Sequence, residues 1–299
     1  MKNKYLPYLA GITFSVIFGF SFLASNIALR YVKPLDLIAF RFLVAFGFIG
    51  LLRALKVVNL NFKGKDLRIV YLTGLSQPVL YFIFEVYGIK LLPSSEAGMM
   101  IALIPVVASI ISVFYLGVKL NIKQFLFIIL SFSGVFYINY MKRASGLDLN
   151  IIGLLCMGGA VISAAFYNNF SKRAQSSFTP LEITYKMMEM GAISFNVIAL
   201  MMHLFEGDVS QYFVMFTNTR MYIPVVYLGV ISSILAFFLV NYSLSKLTVS
   251  ASAVFANLVT IVSIIAGVAI LGESFTIHSL IGSIFILVGV YGVIKNEQN

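Results

Sequence analysis

Residues 87–117, YGIKLLPSSEAGMMIALIPVVASIISVFYLG, and residues 242–272, YSLSKLTVSASAVFANLVTIVSIIAGVAILG, follow one plan 155 positions apart. In each, an apolar run ends just beyond a tyrosine, a short polar break follows, and a second apolar run closes on Leu-Gly. Under this shift Tyr87 falls on Tyr242, Leu92 on Leu247 and Ser95 on Ser250. Leu116-Gly117 falls on Leu271-Gly272, and further on Gly134-Val135 falls on Gly289-Val290. Nearer the start, a shift of 142 places Gly11 on Gly153, Ser21 on Ser163 and Asn26 on Asn168. A slightly larger one places Pro34-Leu35-Asp36 on Pro180-Leu181-Glu182. Coincidences of Leu, Ile and Val are cheap in an apolar chain, so the Gly, Ser, Tyr and Asn matches carry the weight. The chain reads as an internal duplication.

The unit that repeats is a set of membrane helices. Of 299 residues, 60% are hydrophobic and only 11% are charged, against roughly a quarter charged in soluble proteins. Mean hydropathy is +0.98. Apolar segments run over about 6–29, 35–55, 67–90, 95–117, 122–141, 150–171, 181–205, 221–244, 249–271 and 276–294. Each is close to the ~20 residues of helix that cross a hydrocarbon core. A backbone in lipid must satisfy its own polar groups, and strand alternation is absent, so helices are expected and a barrel is not. Helix-stopping residues punctuate the breaks: Pro34, Gly64, Pro93, Gly146, Pro180, Gly207 and Gly272. The first run follows Lys2 and Lys4 as a signal peptide would, but it is too long for a signal core and reads as a retained first helix.

The expected fold is therefore an all-α membrane protein of ten transmembrane helices, in two five-helix repeats spanning 1–146 and 147–299. Five is odd, so the second copy enters the bilayer upside down relative to the first. Inverted repeats enclosing a site near the midplane are the architecture of alternating-access carriers. Lys and Arg set the orientation: with the N-terminus inside, 13 fall on the cytoplasmic side and 6 on the other. Both termini are expected in the cytoplasm of a cell-membrane protein.

Composition also excludes chemistry. The single Cys156 forbids an internal disulfide and a cysteine-rich metal site. His203 and His278 stand without nucleophile or carboxylate companions at a recognisable spacing. No Gly-x-x-x-x-Gly-Lys loop is present, so nucleotide hydrolysis has no support. Neither cofactor nor metal is expected. The net charge of +10 belongs to topology and headgroups rather than to nucleic acid.

Polar side chains within the apolar runs are costly and hence informative. In the third run Gln77, Tyr81 and Glu85 recur every four residues, forming one stripe with Gly74 and Gly88 close to the same face. The stripe reads as a cavity wall, with Glu85 as cation partner or proton acceptor. Alternatively Glu85 pairs with Arg41 of the second run, both about 8–10 Å inside the outer boundary. The repeat partners of the stripe are Ser232, Ala236 and Val240, so the fold itself does not require it. Tyr167 and Asn168 in the sixth run, Asn26 in the first, Asn241 in the eighth and Asn257 in the ninth complete the candidate binding set. Asn26 and Asn168, as repeat mates, also suit interhelical hydrogen bonding. In the seventh run Glu182, Lys186 and Glu189 share a face; Lys186 and Glu189, with Arg41, are candidate gating or structural ion pairs.

Several short motifs resemble the ten-helix EamA branch of the drug/metabolite transporter superfamily. They are Phe18-Gly19, Pro34 followed by Arg41, Ala102-Leu103-Ile104-Pro105, Leu271-Gly272-Glu273, and Gly282 with Leu287-Val288-Gly289. The first half carries Val118 where the second has Glu273, which points to a helix-end or interfacial role for that glutamate. The resemblance implies a carrier with a cavity lined by helices 1, 3, 4, 6, 8 and 9. With the polar stripe it leads to a secondary transporter of a small organic solute, an amino acid or amine, working as a monomer with a proton as candidate coupling ion. An exporter of bulky apolar or cationic compounds is the alternative. A lipid-modifying membrane enzyme and a passive channel are the readings from other classes.

Overall fold

Apolar runs in lipid close their hydrogen bonds within themselves as helices, and the described residues hold ten such helices, with a short one, Ser210–Thr217, between the seventh and the eighth. The computed structural model describes residues 5–116, 121–144, 150–217, 219–247 and 249–296. In them α1 is Leu6–Ala28, α2 Pro34–Ala54 and α3 Arg68–Leu91; α4 comes in two pieces, Ser94–Ile101 and Ile104–Leu116. They are followed by α5 Ile122–Ala144, α6 Ile151–Ala174, α7 Pro180–Phe205, α8 Thr219–Lys246, α9 Val249–Leu271 and α10 Ile277–Lys295. Seven of these, α1–α4 and α6–α8, suffice in length and hydropathy to span a membrane, and α5, α9 and α10 carry shorter apolar stretches among the described residues. The expected boundary between the halves, at residues 146 and 147, lies outside the described residues.

Local chemistry sets the ends. Pro34 and Pro180 open α2 and α7, where a missing N–H and a fixed φ cost nothing. Thr179 caps α7 reciprocally: its hydroxyl accepts from the Glu182 amide at 3.2 Å, and the Glu182 carboxylate accepts from the Thr179 amide at 2.8 Å. Gly272, at φ +69°, ends α9 in the left-handed region that other residues avoid. The α4 helix breaks at Ala102 and Leu103, just ahead of Pro105, because proline cannot donate to the preceding turn.

Packing follows the duplication. The α1–α9 contact is matched by α6–α4, α1–α8 by α6–α3, and α2–α8 by α7–α3, while α2–α7 and α5–α10 pair across the two halves. The α5–α10 contact gives the symmetry its direction. A Cβ on Gly134 would meet Gly282 O at 2.6 Å, and one on Gly289 would meet Phe127 O at 2.7 Å. The 155-residue shift carries Gly134 to Gly289 and Phe127 to Gly282, so i touches the mate of j and j touches the mate of i, the signature of a two-fold. Contacts run antiparallel, from Phe127 with Gly292 to Tyr137 with His278. An axis exchanging two antiparallel helices lies across them, in the membrane plane, and the second half is inverted.

The α2–α7 pair is antiparallel too. At one end His203 Nε2 and Asp36 Oδ1 are 2.9 Å apart and buried, and Asn196 donates to Ala39 O at 3.2 Å. Beyond them the exposed Lys33 ammonium meets the Glu206 carboxylate at 2.6 Å. This hydrogen bond raises the Lys33 pKa and lowers that of Glu206. At the other end Arg53 donates to the Tyr185 hydroxyl at 2.9 Å.

Candidate functional site

Midway along α3 the helix opens. Gln77 adopts extended backbone angles, φ −148° and ψ 118°, directly before Pro78, within a stretch of π-type winding over Leu75–Leu80. The repeat-related helix α8 is also π-wound, over Tyr227–Ala236. Widened turns of this sort gather at functional positions, and irregular backbone at membrane depth persists only inside protein or along a cavity. Both conditions hold here. Gln77 is buried and borders a cavity of about 100 Å³ between the two halves.

The walls come from α1, α3, α4, α6, α8 and α9, with Arg41 reaching in from α2. Seven of the nineteen lining residues are aromatic. Phe14, Phe18, Phe22, Phe82 and Phe237 border the space, with Phe18 and Phe237 edge to face at 5.2 Å and Tyr167 against Phe237 at 6.1 Å. The polar groups are Gln77, Tyr81 and Glu85 of α3, Arg41 of α2, Tyr167 and Asn168 of α6, and the hydroxyls of Ser21 on α1 and Ser252 on α9. Three of them are the stripe read from the sequence.

Tyr81 donates its hydroxyl to Glu85 Oε1 at 2.9 Å. Among the described residues Arg41 and Glu85 form no direct ion pair, contrary to one of the two expectations for them. The Arg41 guanidinium donates through Nε to Ser233 Oγ at 2.8 Å and through Nη2 to Ser232 Oγ at 3.0 Å. Its Cζ lies 4.3 Å above the Phe82 ring, a cation–π geometry that also holds the plane. The widened turn of α8 supplies both serine hydroxyls, which is why the cation is satisfied without a carboxylate. Ser233 was missed as a site residue, and Ser232 was noted only as the repeat mate of Gln77. That registration was the available signal.

The remaining candidates divide. Tyr167 and Asn168 line the cavity, and the Asn168 amide makes no hydrogen bond among the described residues. Asn241 does not line it: this fully buried side chain accepts from Tyr167 at 3.0 Å and Ser171 at 2.7 Å, and donates to Thr184 at 3.0 Å. Its amide knits α6, α7 and α8 behind the wall. Asn26 is half-buried on α1 away from the cavity and shares no wall with its mate Asn168. Lys186 and Glu189 form an ion pair on α7, with the ammonium 5.0 Å above the Phe62 ring and outside the cavity. The Asn257 side chain lies outside the described residues. Glu273, expected at a helix end, accepts from the amides of Ser94 at 2.7 Å and Ser95 at 2.9 Å, capping the start of α4. Among the described residues no cluster of His, Cys, Asp or Glu is arranged to hold a metal.

Comparison with known proteins adds the family. The uncharacterized transporter YcxC of Bacillus subtilis (strain 168) is 35% identical over 293 residues, covering 98% of this chain and 94% of its own. An uncharacterized transporter of Archaeoglobus fulgidus is 26% identical over 296 residues, covering 99% and 100%. A solved crystal structure covering 96% of this chain and 97% of its own superposes with a TM-score of 0.65 at 17% identity, a likeness of fold alone. The sequence profile of the EamA-like transporter family matches twice, over residues 6–140 and 151–295. With both copies of the profile filled, the chain belongs to the EamA-like transporter family, as a multi-pass membrane transporter rather than an enzyme.

Proposed function

We propose that the chain is a secondary carrier that moves a small organic solute, an amino acid or amine, by alternating access. The observation that carries this reading is the cavity between two inverted halves, bordered by repeat-related helices in pairs: α1 with α6, α3 with α8, α4 with α9. A site on the pseudo-two-fold is reached from either membrane face by rocking one half against the other. At about 100 Å³ the space holds several times the ~10–15 Å³ that one water needs, the scale of a small metabolite. Its phenylalanine lining supports the second reading, export of apolar or cationic compounds, for small members of that class.

In this reading Gln77, Tyr81, Glu85, Tyr167 and Asn168 contact the solute, and the duplication within one chain makes a monomer sufficient. Both termini lie in the cytoplasm. A proton is the coupling ion, carried by Glu85, whose charged and titratable neighbours are Arg41 and Tyr81. The test is counterflow in proteoliposomes. The purified protein exchanges a preloaded amino acid or amine, and the rate depends on pH. Glu85→Gln retains solute exchange at reduced rate and loses the pH dependence. Unitary currents without counterflow would identify a channel instead.

A further inference from the structure

The cavity wall holds one cation and one anion, Arg41 and Glu85, that do not bond to each other. A guanidinium has five N–H donors, and serine hydroxyls engage two of them on Arg41, at Nε and Nη2. The Nη1 donors have no partner among the described residues. Glu85 accepts the Tyr81 hydroxyl on Oε1, which leaves Oε2 without a partner among the described residues. Each group thus keeps bonding capacity for an occupant, and the two charges select that occupant jointly. A simple cation at Glu85 sits in the repulsive field of Arg41, and a simple anion at Arg41 meets the reverse. In a low-dielectric site both mismatches are costly. A neutral molecule bearing both charges satisfies each group at once.

We propose that the solute is an α-amino acid with an apolar side chain, held as a zwitterion with its carboxylate on Arg41 and its ammonium on Glu85. This rests on the carrier reading above and narrows its solute class. Ser232, Ser233 and the Phe82 face hold the guanidinium plane in advance, and a planar fork is the donor set that matches a carboxylate. The ammonium, with three donors, takes Glu85 Oε2. The side chain then lies among the rings of Phe14, Phe18 and Phe237, which have no hydrogen bonds to offer it. A decarboxylated amine lacks the partner for Arg41 and an N-acylated acid lacks the partner for Glu85, so the site rejects both.

Binding and exchange on the full chain test this, by calorimetry in detergent and counterflow in proteoliposomes. The probes are L-leucine, L-methionine and L-phenylalanine, their decarboxylated amines, and their N-acetyl derivatives. At least one amino acid of the set is expected to bind and exchange. Its amine and its N-acetyl derivative bind weaker by roughly thirtyfold or more, the scale of removing one partner from a buried charge pair. Arg41→Gln lowers amino acid affinity toward the level of the amine and, by removing the repulsion, leaves amine affinity unweakened or raises it. Should that variant fail to fold, the ligand series on the unmodified chain decides alone, and the Ser232→Ala/Ser233→Ala double variant weakens the amino acid but not the amine. Amines binding as tightly as amino acids, or an equal loss for both in Arg41→Gln, overturn the proposal. So does counterflow of nucleosides or quaternary amines with none of the amino acids, an outcome that leaves the carrier reading intact. Channel currents with no counterflow of any solute would remove both.

Discussion

Asn241 and Asn168 separate the two uses of a polar side chain within the membrane. The first is enclosed by Tyr167, Ser171 and Thr184, which complete its amide from two neighbouring helices. The second borders the cavity with its amide unengaged among the described residues. Removing Asn241 strands several buried donors and acceptors, each worth about 1–3 kcal/mol when left unmade. Asn241→Ala is expected to destabilise the folded chain on that scale in an SDS-unfolding titration. Tyr167→Phe, which removes a single donor, costs about 0.5–1.5 kcal/mol. Asn168→Ala leaves stability near the parent and acts on solute affinity. Full stability in Asn241→Ala together with lost solute binding would reverse these assignments.

Individual helices owe their ends and irregularities to short stretches of sequence, and two of these matter to the site. Pro78 and the extended Gln77 interrupt α3 at the cavity. At the far end of α9, Gly272 turns the chain so that the Glu273 amide bonds to Gly267 O at 3.1 Å while its carboxylate reaches the first amides of α4. The second half thereby fastens a helix of the first. In hydrogen–deuterium exchange, Glu273→Ala is expected to speed exchange at Ser94 and Ser95 by about tenfold, since losing a cap costs about 0.5–2 kcal/mol. Glu273→Asp has a shorter reach and falls between. Gly272→Ala places a Cβ at φ +69°, a strain of about 1–2 kcal/mol, and lowers the unfolding midpoint without touching the cavity. If exchange at the start of α4 were unchanged in Glu273→Ala, the carboxylate would not be what holds that end.

Across the whole molecule, the inverted two-fold brings remote segments together and creates a space that neither half encloses alone. The α5–α10 contact, where glycines allow backbones to meet, is its tightest expression. Gly134→Val and Gly282→Val are each expected to destabilise the chain, by about 1–3 kcal/mol for overpacking. The double variant should cost less than the sum, because both widen one contact. Labelling addresses orientation. In a Cys156→Ser background, if both termini are cytoplasmic as proposed, a cysteine at Asp208 is expected to react with an impermeant maleimide from outside, and cysteines at Asn3 and Gln298 only with a permeant one; the reverse pattern would overturn that orientation.

The ten helices, their duplication and the α3 stripe were legible because each is local. Hydrocarbon forces a helix on any sufficiently long apolar run, and a four-residue spacing places Tyr81 and Glu85 on one helical face, while Gln77 reaches the same cavity from the extended backbone before Pro78. Proline and glycine marked the ends for the same reason. Which polar group bonds which was not legible, since it depends on faces brought together from about 190 residues apart, as Arg41 with Ser232 and Ser233. The alternation of Asn241 behind the wall and Asn168 on it is likewise a matter of helix rotation, to which a chain this uniformly apolar gives little local clue. Sequence alone determined that the protein lives in lipid as two copies of a five-helix unit. Tertiary structure decided that Arg41 and Glu85 share a cavity without pairing, because only the packing of inverted halves supplies the hydroxyls that hold them apart.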